Sequence, residues 1–149
     1  MSASGAICPT SGNVLSTTSQ YVGKILSTPG YVQAQQSTSS NTLVDLATPD
    51  TVSVTVVGST KVLVNYTSQA TYPAVSGYDV SNPVIDGVAD TTCGAVGGSG
   101  IAANGIETGH SLSCPETLSN GAHTIKVQHR TTAGTGSWED RSLWVLVTP

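Results

Sequence analysis

Hydrophobic and polar residues alternate along most of the chain after residue 42, and this spacing predicts β-strands. In residues 51–56 valine occupies every second position between hydroxyl residues, which is typical of a strand with one buried and one solvated face. Residues 60–68 repeat the pattern, with Val62, Val64 and Tyr66 expected on the buried side. Further strands are expected at 42–46, 83–90, 106–113, 122–130 and 138–147. The pattern therefore predicts an all-β, antiparallel fold.

Turn residues separate these predicted strands. Thr48-Pro49-Asp50 places proline where its fixed φ suits a turn, Gly58-Ser59 fits a two-residue hairpin, and Asn120-Gly121 is a strong turn dipeptide. We expect the first three strands, at 42–46, 51–56 and 60–68, to form an antiparallel meander. Residues 42–149 are then one β-sandwich domain.

Residues 1–41 show no sustained hydrophobic period and are rich in Ser, Thr, Gly and Gln. We predict an extended N-terminal docking arm, with a solvated linker as the alternative. Ordering such a segment without a core of its own is unfavourable, so in an ordered arm the apolar side chains must be buried against other chains. These side chains are Ile7, Val14, Leu15, Tyr21, Val22, Ile25, Leu26, Tyr31 and Val32.

The last predicted strand is apolar on both faces near its end. Leu143-Trp144-Val145-Leu146-Val147 contains no polar residue, whereas a strand of a two-sheet sandwich should alternate. The second face needs a cover, and a neighbouring subunit is the simplest one. A loop or the N-terminal arm is the alternative cover. We assign Leu63, Trp144 and Leu146 to an oligomer interface.

Composition narrows the possible partners. Charged residues make up 9% of the chain and the formal net charge is -4, against roughly 25% charged residues in an average globular protein. This balance argues against a nucleic-acid-binding surface. No apolar run approaches the roughly 18 residues that span a bilayer, so we expect no membrane partner. The first nine residues have neither a basic nor an apolar signal region, so we expect no signal peptide.

The three cysteines allow at most one intrachain disulfide. No pair has the Cys-x-x-Cys spacing, which argues against a zinc site. We predict that Cys93 pairs with Cys114 across the glycine-rich segment, closing a loop of about 20 residues. The state of Cys8 is left open.

Catalytic chemistry has few candidates in this sequence. A hydrolase would need a nucleophile, a base and an acid, for which Ser99, His110 or His123, and Asp86 or Asp90 are the available residues. Ser99 lacks the Gly-x-Ser-x-Gly spacing, so we expect no enzyme and no catalytic residue. His123 and His129 share a strand face with apolar residues and are expected to be packed and hydrogen-bonded.

A metal or cofactor is not expected either. Asp86 and Asp90 could bring two carboxylates to one calcium ion, but Asp86-Gly87 is explained by a turn alone. A calcium site also requires six or more oxygen ligands. We therefore predict no metal and no cofactor.

Several segments together resemble the jelly-roll domains of tailed-phage virion proteins, which are similar in shape to the tumour-necrosis-factor and C1q trimers. The resemblance covers roughly residues 42–149. The segments that carry it are Val62-Leu63-Val64-Asn65-Tyr66, Pro83-Val84-Ile85-Asp86-Gly87, the run from Leu118 to Gln128 with its His123-Thr124-Ile125-Lys126-Val127-Gln128, and Arg141-Ser142-Leu143-Trp144-Val145-Leu146.

This resemblance implies a non-enzymatic homotrimer on the exterior of a virus particle, most simply a capsid decoration protein. Its partners would be the major capsid protein or neighbouring virion proteins. The alternative is a glycan- or receptor-binding module of a tail fibre or an extracellular secreted protein. Exposed aromatic residues would support that alternative, and Tyr72, Tyr78 and Trp138 are the candidates in or beside predicted loops.

Overall fold

The computed structural model describes residues 30–71, 77–92, 95–99 and 107–148, and within these ranges the chain forms ten β-strands. No helix in the described ranges is long and apolar enough to cross a membrane. The strands are β1 (Gly30–Val32), β2 (Gln36–Thr38), β3 (Asp50–Val56), β4 (Thr60–Thr71), β5 (Tyr78–Ile85), β6 (Val88–Ala89), β7 (Val96–Ser99), β8 (Glu107–Leu118), β9 (Gly121–Thr131) and β10 (Gly136–Val147). The predicted all-β class is confirmed.

The strands form two antiparallel sheets of five strands each. In the first, here the β10 sheet, the order is β1-β10-β4-β8, and β2 also pairs with β10. In the second, the β9 sheet, the order is β3-β9-β5-β6, and β7 pairs with β5. Consecutive long strands alternate between the sheets, as from β3 to β4 and from β8 to β9. Two packed antiparallel sheets connected in this way form a jelly roll.

The predicted meander of the first three strands is wrong. β3 pairs with β9 in one sheet, whereas β4 pairs with β8 and β10 in the other. Of the predicted strand at 42–46, only a single bridge between Val44 and His129 forms. The turn at Gly58 crosses between the sheets, and the Asn120 side chain accepts a hydrogen bond from its N–H at 3.0 Å. Buried and exposed residues alternate in the same way whether two consecutive strands pair as a hairpin or lie in opposite sheets. The alternation therefore could not distinguish these two arrangements.

The core lies between the two sheets and follows the predicted alternation. Val52 and Val54 of β3, Val62 and Val64 of β4 and Ile125 of β9 are all buried in one cluster. The residues between them along each strand point outward. Burial of aliphatic side chains contributes roughly 25 cal/mol per Å² of apolar surface, so this cluster is the main hydrophobic contribution to folding.

A β-bulge interrupts this alternation in β10. The register with β4 shifts between Glu139 and Ser142, and Asp140 adopts a left-handed backbone with φ 47°. Before the bulge Trp138 points inward, and after it Arg141 and Leu143 do so. One extra residue therefore turns the charged Arg141 side chain into the interior.

Residues 30–41 of the predicted arm contain two strands that pair with the domain itself. β1 pairs with residues 141–143 of β10, and β2 pairs with residues 136–138. Tyr31 is 60% exposed and donates a hydrogen bond to Oδ1 of Asp140 at 2.8 Å, while Val32 is half-buried. The other predicted docking side chains, from Ile7 to Leu26, lie outside the described residues.

Candidate functional site

A network of buried polar side chains lies between the two sheets of the described structure. Asp50 at the start of β3 lies with Oδ2 2.8 Å from Nε2 of His129 and with Oδ1 3.4 Å from Nε of Arg141. The side chains of His129 and Arg141 are 0% exposed, and that of Asp50 is 3% exposed. Each charge here needs its partners, because a buried charge without compensation is strongly unfavourable.

One nitrogen of Arg141 also donates two hydrogen bonds to residues that precede β3. Nη2 donates to Oε1 of Gln36 at 3.0 Å and to the carbonyl oxygen of Thr48 at 3.1 Å. Gln36 and Thr48 are also bonded to each other through both the amide and the hydroxyl of Thr48. The guanidinium therefore ties β2 and the segment before β3 to β10.

Ser81, His129 and Asp50 have the connectivity of a hydrolase triad. Nδ1 of His129 lies 3.1 Å from Oγ of Ser81, and Nε2 faces Asp50. Burial lowers the pKa of His129, against the opposing effect of Asp50, so the ring is neutral at pH 7 and its Nε2–H donates to the carboxylate. The Ser81 hydroxyl then donates to Nδ1. Ser81 is 0% exposed, so a dissolved substrate has no access to it.

Aromatic rings enclose this histidine. The His129 ring centroid lies 4.8 Å from that of Trp138 and 5.9 Å from that of Tyr66, both tilted. Trp138 and Tyr66 are themselves 0% exposed. We therefore interpret the network as a structural element of the core. The expectation that His129 is packed and hydrogen-bonded is confirmed. Sequence reasoning missed its partners Asp50 and Arg141, for which the available signal was an acidic residue at the start of an apolar strand.

The residues proposed as hydrolase candidates do not assemble into one site in the described structure. Asp86 and His123 are in contact, with Oδ2 and Nδ1 2.7 Å apart. His110 points into the core at 5% exposure, and burial lowers its pKa. The side chain of Ser99 lies outside the described residues.

The Asp86–His123 pair instead fixes the turns at one end of the sandwich. Asp86 also accepts a hydrogen bond from the N–H of Thr124 at 2.8 Å, and Nε2 of His123 lies 2.8 Å from the carbonyl oxygen of Ser119. Both ring nitrogens thus face acceptors, an arrangement that only the doubly protonated ring satisfies. The hydrogen bond to Asp86, followed by that to Ser119, raises the pKa of His123.

Asp90, the other carboxylate considered for calcium, faces a different group from Asp86. Its Oδ2 lies 3.0 Å from Sγ of Cys114, and Oε1 of Glu116 lies 3.4 Å from the same sulfur. Burial, followed by the charge of Asp90, raises the pKa of Glu116. The two carboxylates border an open cleft of about 240 Å³. The expectation of no metal stays a prediction.

Cys114 is fully buried and disulfide-bonded. Its partner, like Cys93, lies outside the described residues, so the pairing of Cys93 with Cys114 stays a prediction. A disulfide sulfur carries no thiolate charge, so Cys114 in this state is a poor metal ligand.

The three predicted interface residues share one surface. On the outer face of the β10 sheet, Leu146 stands opposite Leu63, which in turn stands opposite Pro115 of the edge strand β8. Trp144 occupies the next row, opposite Asn65. Leu63, Trp144 and Leu146 are half-buried and Pro115 is exposed. We call these four residues, Leu63, Pro115, Trp144 and Leu146, the apolar face.

The aromatic residues considered for sugar stacking differ in their exposure. Trp138 is fully buried, so its suggested role at the surface is wrong. The bulge places it on the interior side of β10, where it packs on His129. Tyr78 is 56% exposed, and Tyr72 lies outside the described residues.

Comparison with known proteins identifies a fold. No protein-family model matches the chain, and no curated protein is similar in sequence. Among solved structures, the tumour necrosis factor Eiger from S. frugiperda is similar, with a TM-score of 0.53 and 13% identity over 84% of this chain and 92% of that chain. The identity is low, so the likeness shows the fold alone, a TNF-like jelly roll.

A second similar structure is a cycloisomaltooligosaccharide glucanotransferase from Paenibacillus sp. in complex with cycloisomaltoheptaose. It aligns with a TM-score of 0.36 and 14% identity over 82% of this chain, but over only 17% of that chain. This TM-score is too low to support any argument about the present chain.

Replacing Arg141 should lower the free energy of unfolding, because the buried network loses its cation. Arg141→Met leaves the Asp50 carboxylate buried without its cation, and breaking a buried pair in this way costs about 3–5 kcal/mol. The double variant Asp50→Asn with Arg141→Met removes both charges and should recover part of that loss. Urea denaturation measures the free energies of unfolding. A loss below about 1 kcal/mol for Arg141→Met would contradict the assigned role.

The ion pair between His123 and Asp86 should make the free energy of unfolding depend on pH above the unfolded pKa of histidine. The raised pKa of His123 means that the folded state holds the proton more tightly, so the contribution is complete below the unfolded value of about 6.5 and is lost as the pH rises through the folded value. His129 and His110 have lowered pKa values and titrate below this window. In thermal unfolding, His123→Gln should therefore destabilise the protein most near pH 6 and progressively less towards pH 9.

Ser119→Ala is the matched control for His123→Gln, because the hydrogen bond between these residues uses the backbone carbonyl oxygen of Ser119, which the substitution retains. This variant should keep the wild-type pH profile. A constant difference between wild type and His123→Gln from pH 6 to pH 9 would contradict the imidazolium assignment.

Proposed function

We propose that this protein is a non-enzymatic structural protein of a tailed-phage virion, a capsid decoration protein that docks on the shell as a homotrimer. The proposal joins the TNF-like jelly roll to the sequence resemblance to phage virion domains. The observation that carries it is the apolar face on the outer side of the β10 sheet. In this proposal the protein lies on the exterior of the particle.

The composition of the apolar face favours a protein partner. Two rows of residues cross β4, β8 and β10 on this side of the sheet. One contains Leu63 and Leu146 and the other contains Trp144, and neither row includes a charged residue. Within the second row, the Ser113 hydroxyl donates to Oδ1 of Asn65 at 2.7 Å, which satisfies that acceptor within the chain. Contiguous apolar surface with satisfied polar neighbours is typical of protein contacts. We infer that a second and a third copy of this chain cover it.

Docking to the shell is assigned to residues 1–29, because β1 and β2 already pair with β10 of the same chain. The low charge of the chain fits a partner surface that is recognised by shape and burial more than by electrostatic steering. The partner in this proposal is the major capsid protein or a neighbouring virion protein.

Truncating Trp144 should weaken the trimer. Trp144→Ala removes a large aromatic contact, with an expected cost of ~3 kcal/mol or more at the interface. Analytical ultracentrifugation should find a trimer for the wild type and a shift towards monomer for the variant. Val57→Ala is the control, since Val57 is 65% exposed and lies in the turn before β4. A monomeric wild type would contradict the proposal.

Removing residues 1–29 should abolish docking on the shell while leaving folding and trimer formation intact. The truncated chain keeps β1 and β2 and should remain a folded trimer, but it should no longer co-sediment with capsids of the virus that encodes it. The full-length protein is the reference. Undiminished binding of the truncated trimer would contradict the docking arm.

The alternative function, binding of a glycan or receptor, is favoured by the exposure of Tyr31 and Tyr78. These two residues are 60% and 56% exposed, so their side chains are accessible for stacking on a sugar. Glycan-array binding that is lost in Tyr31→Ala or Tyr78→Ala, in a protein that does not bind shells, would favour this alternative.

A further inference from the structure

Asp79 is a buried carboxyl group that has no charged partner among the residues that the structure describes. It lies in β5, opposite Thr131 of β9 on one side and Gly98 of β7 on the other. The residue is 0% exposed, and neither carboxylate oxygen has a hydrogen-bond partner among the described residues. The Thr131 hydroxyl donates its proton to the carbonyl oxygen of Ala133 at 2.8 Å, so that proton is not available to Asp79.

The space for this carboxyl group depends on a glycine in the facing sheet. A Cβ atom at Gly136 would overlap Oδ1 and Cγ of Asp79 and would lie 2.9 Å from Cη2 of Trp138. Asp79 is thus packed directly against the backbone of β10. A carboxylate in such a place has lost its hydration, which disfavours the charged form.

Within the described part of the chain, no ion pair compensates for this loss. β7 has the sequence Val-Gly-Gly-Ser and contains no titratable residue. The titratable side chains that are buried on the other strands are Asp50 of β3, Tyr66 of β4, His110 of β8, His123 and His129 of β9, and Arg141 of β10. Among the described residues none of them forms an ion pair or hydrogen bond with Asp79. Burial therefore dominates and raises the pKa of Asp79 to about 6.

Two hydrogen bonds close the structure beside this group. The N–H of Tyr78 donates to Oγ1 of Thr132 at 2.8 Å, and the N–H of Thr132 donates to the carbonyl oxygen of Tyr78 at 3.0 Å. Tyr78 is exposed and adjacent to Asp79 in the chain. Separation of β5 from the segment after β9 at these two hydrogen bonds would give the carboxylate access to water.

We propose that Asp79 is a pH-sensitive contact: its protonated form keeps the start of β5 against β9 and β10, and its ionisation increases opening at the Tyr78–Thr132 hydrogen bonds. The closed state binds the proton more tightly than the open state. The contribution of this group to closure is complete below the open-state pKa of about 3.8, is lost as the pH rises through the closed-state value of about 6, and changes no further at higher pH. This regulatory role is independent of the proposed virion function.

Amide hydrogen exchange at Tyr78 and Thr132, measured by NMR on the full chain, tests the proposal. After correction for intrinsic exchange, opening of these two amides should increase about tenfold between pH 5 and pH 7.5, the ratio expected for an Asp whose pKa is about 6 in the closed state and about 3.8 in the open state. Asp79→Asn, which cannot ionise, should abolish the increase. Asp45→Asn is the control, because Asp45 is a surface carboxylate paired with Lys126, and it should retain the increase.

Two results would overturn the proposal: no increase in the wild type, or the same increase in Asp79→Asn. Direct titration of the wild-type Asp79 carboxyl carbon by NMR covers the case in which Asp79→Asn fails to fold. A midpoint near pH 6 supports the proposal. A midpoint below about pH 4.5 overturns it.

Discussion

The arrangement of the sandwich depends on one buried cation, the guanidinium of Arg141. It is 0% exposed and is held by the Asp50 carboxylate and by Gln36 and Thr48. A cation in this position is favourable only while all of these groups stay in place. β2, the start of β3 and the middle of β10 are therefore fixed together, and His129 is oriented through the same carboxylate.

The bulge in β10 is the backbone feature that makes this contact possible. The left-handed Asp140 inserts one extra residue, so that Trp138 and Arg141 both face inward although three positions separate them. A left-handed backbone at a residue other than glycine is strained, and it is kept only where the surrounding contacts hold it in place. Tyr31 stabilises the exposed side of the bulge by its hydrogen bond to Asp140. After the bulge, the alternation of inward and outward residues is shifted by one position, so Trp144 lies on the outer face of the sheet.

The sequence predicted features that follow from alternation alone. Val52 and Val64 were expected inside, and the shared surface of Leu63, Trp144 and Leu146 follows from antiparallel pairing of two alternating strands. Features that depend on distant partners were not predicted. Arg141 would be expected outside because it is charged, and its partner Asp50 is far away in the chain.

Turn residues have a similar ambiguity. Gly58 permits a left-handed backbone with φ 71°, which suits a hairpin and a crossover between sheets equally well. Only the pairing of β3 with β9, which are more than 60 residues apart, shows that the chain changes sheets at this turn. The sheet to which a strand belongs is thus a long-range property. The same holds for the buried position of Asp79, which needs Gly136 in the opposite sheet.

The central claim is that the apolar face joins three copies of this chain on the exterior of a virus particle. A cryo-electron microscopy reconstruction of particles that contain the protein tests it most directly. The account predicts three jelly rolls around a threefold axis, with Trp144 and Leu146 buried between copies and the N-terminal segments on the shell. Single copies on the shell, or a trimer with Trp144 facing solvent, would contradict it.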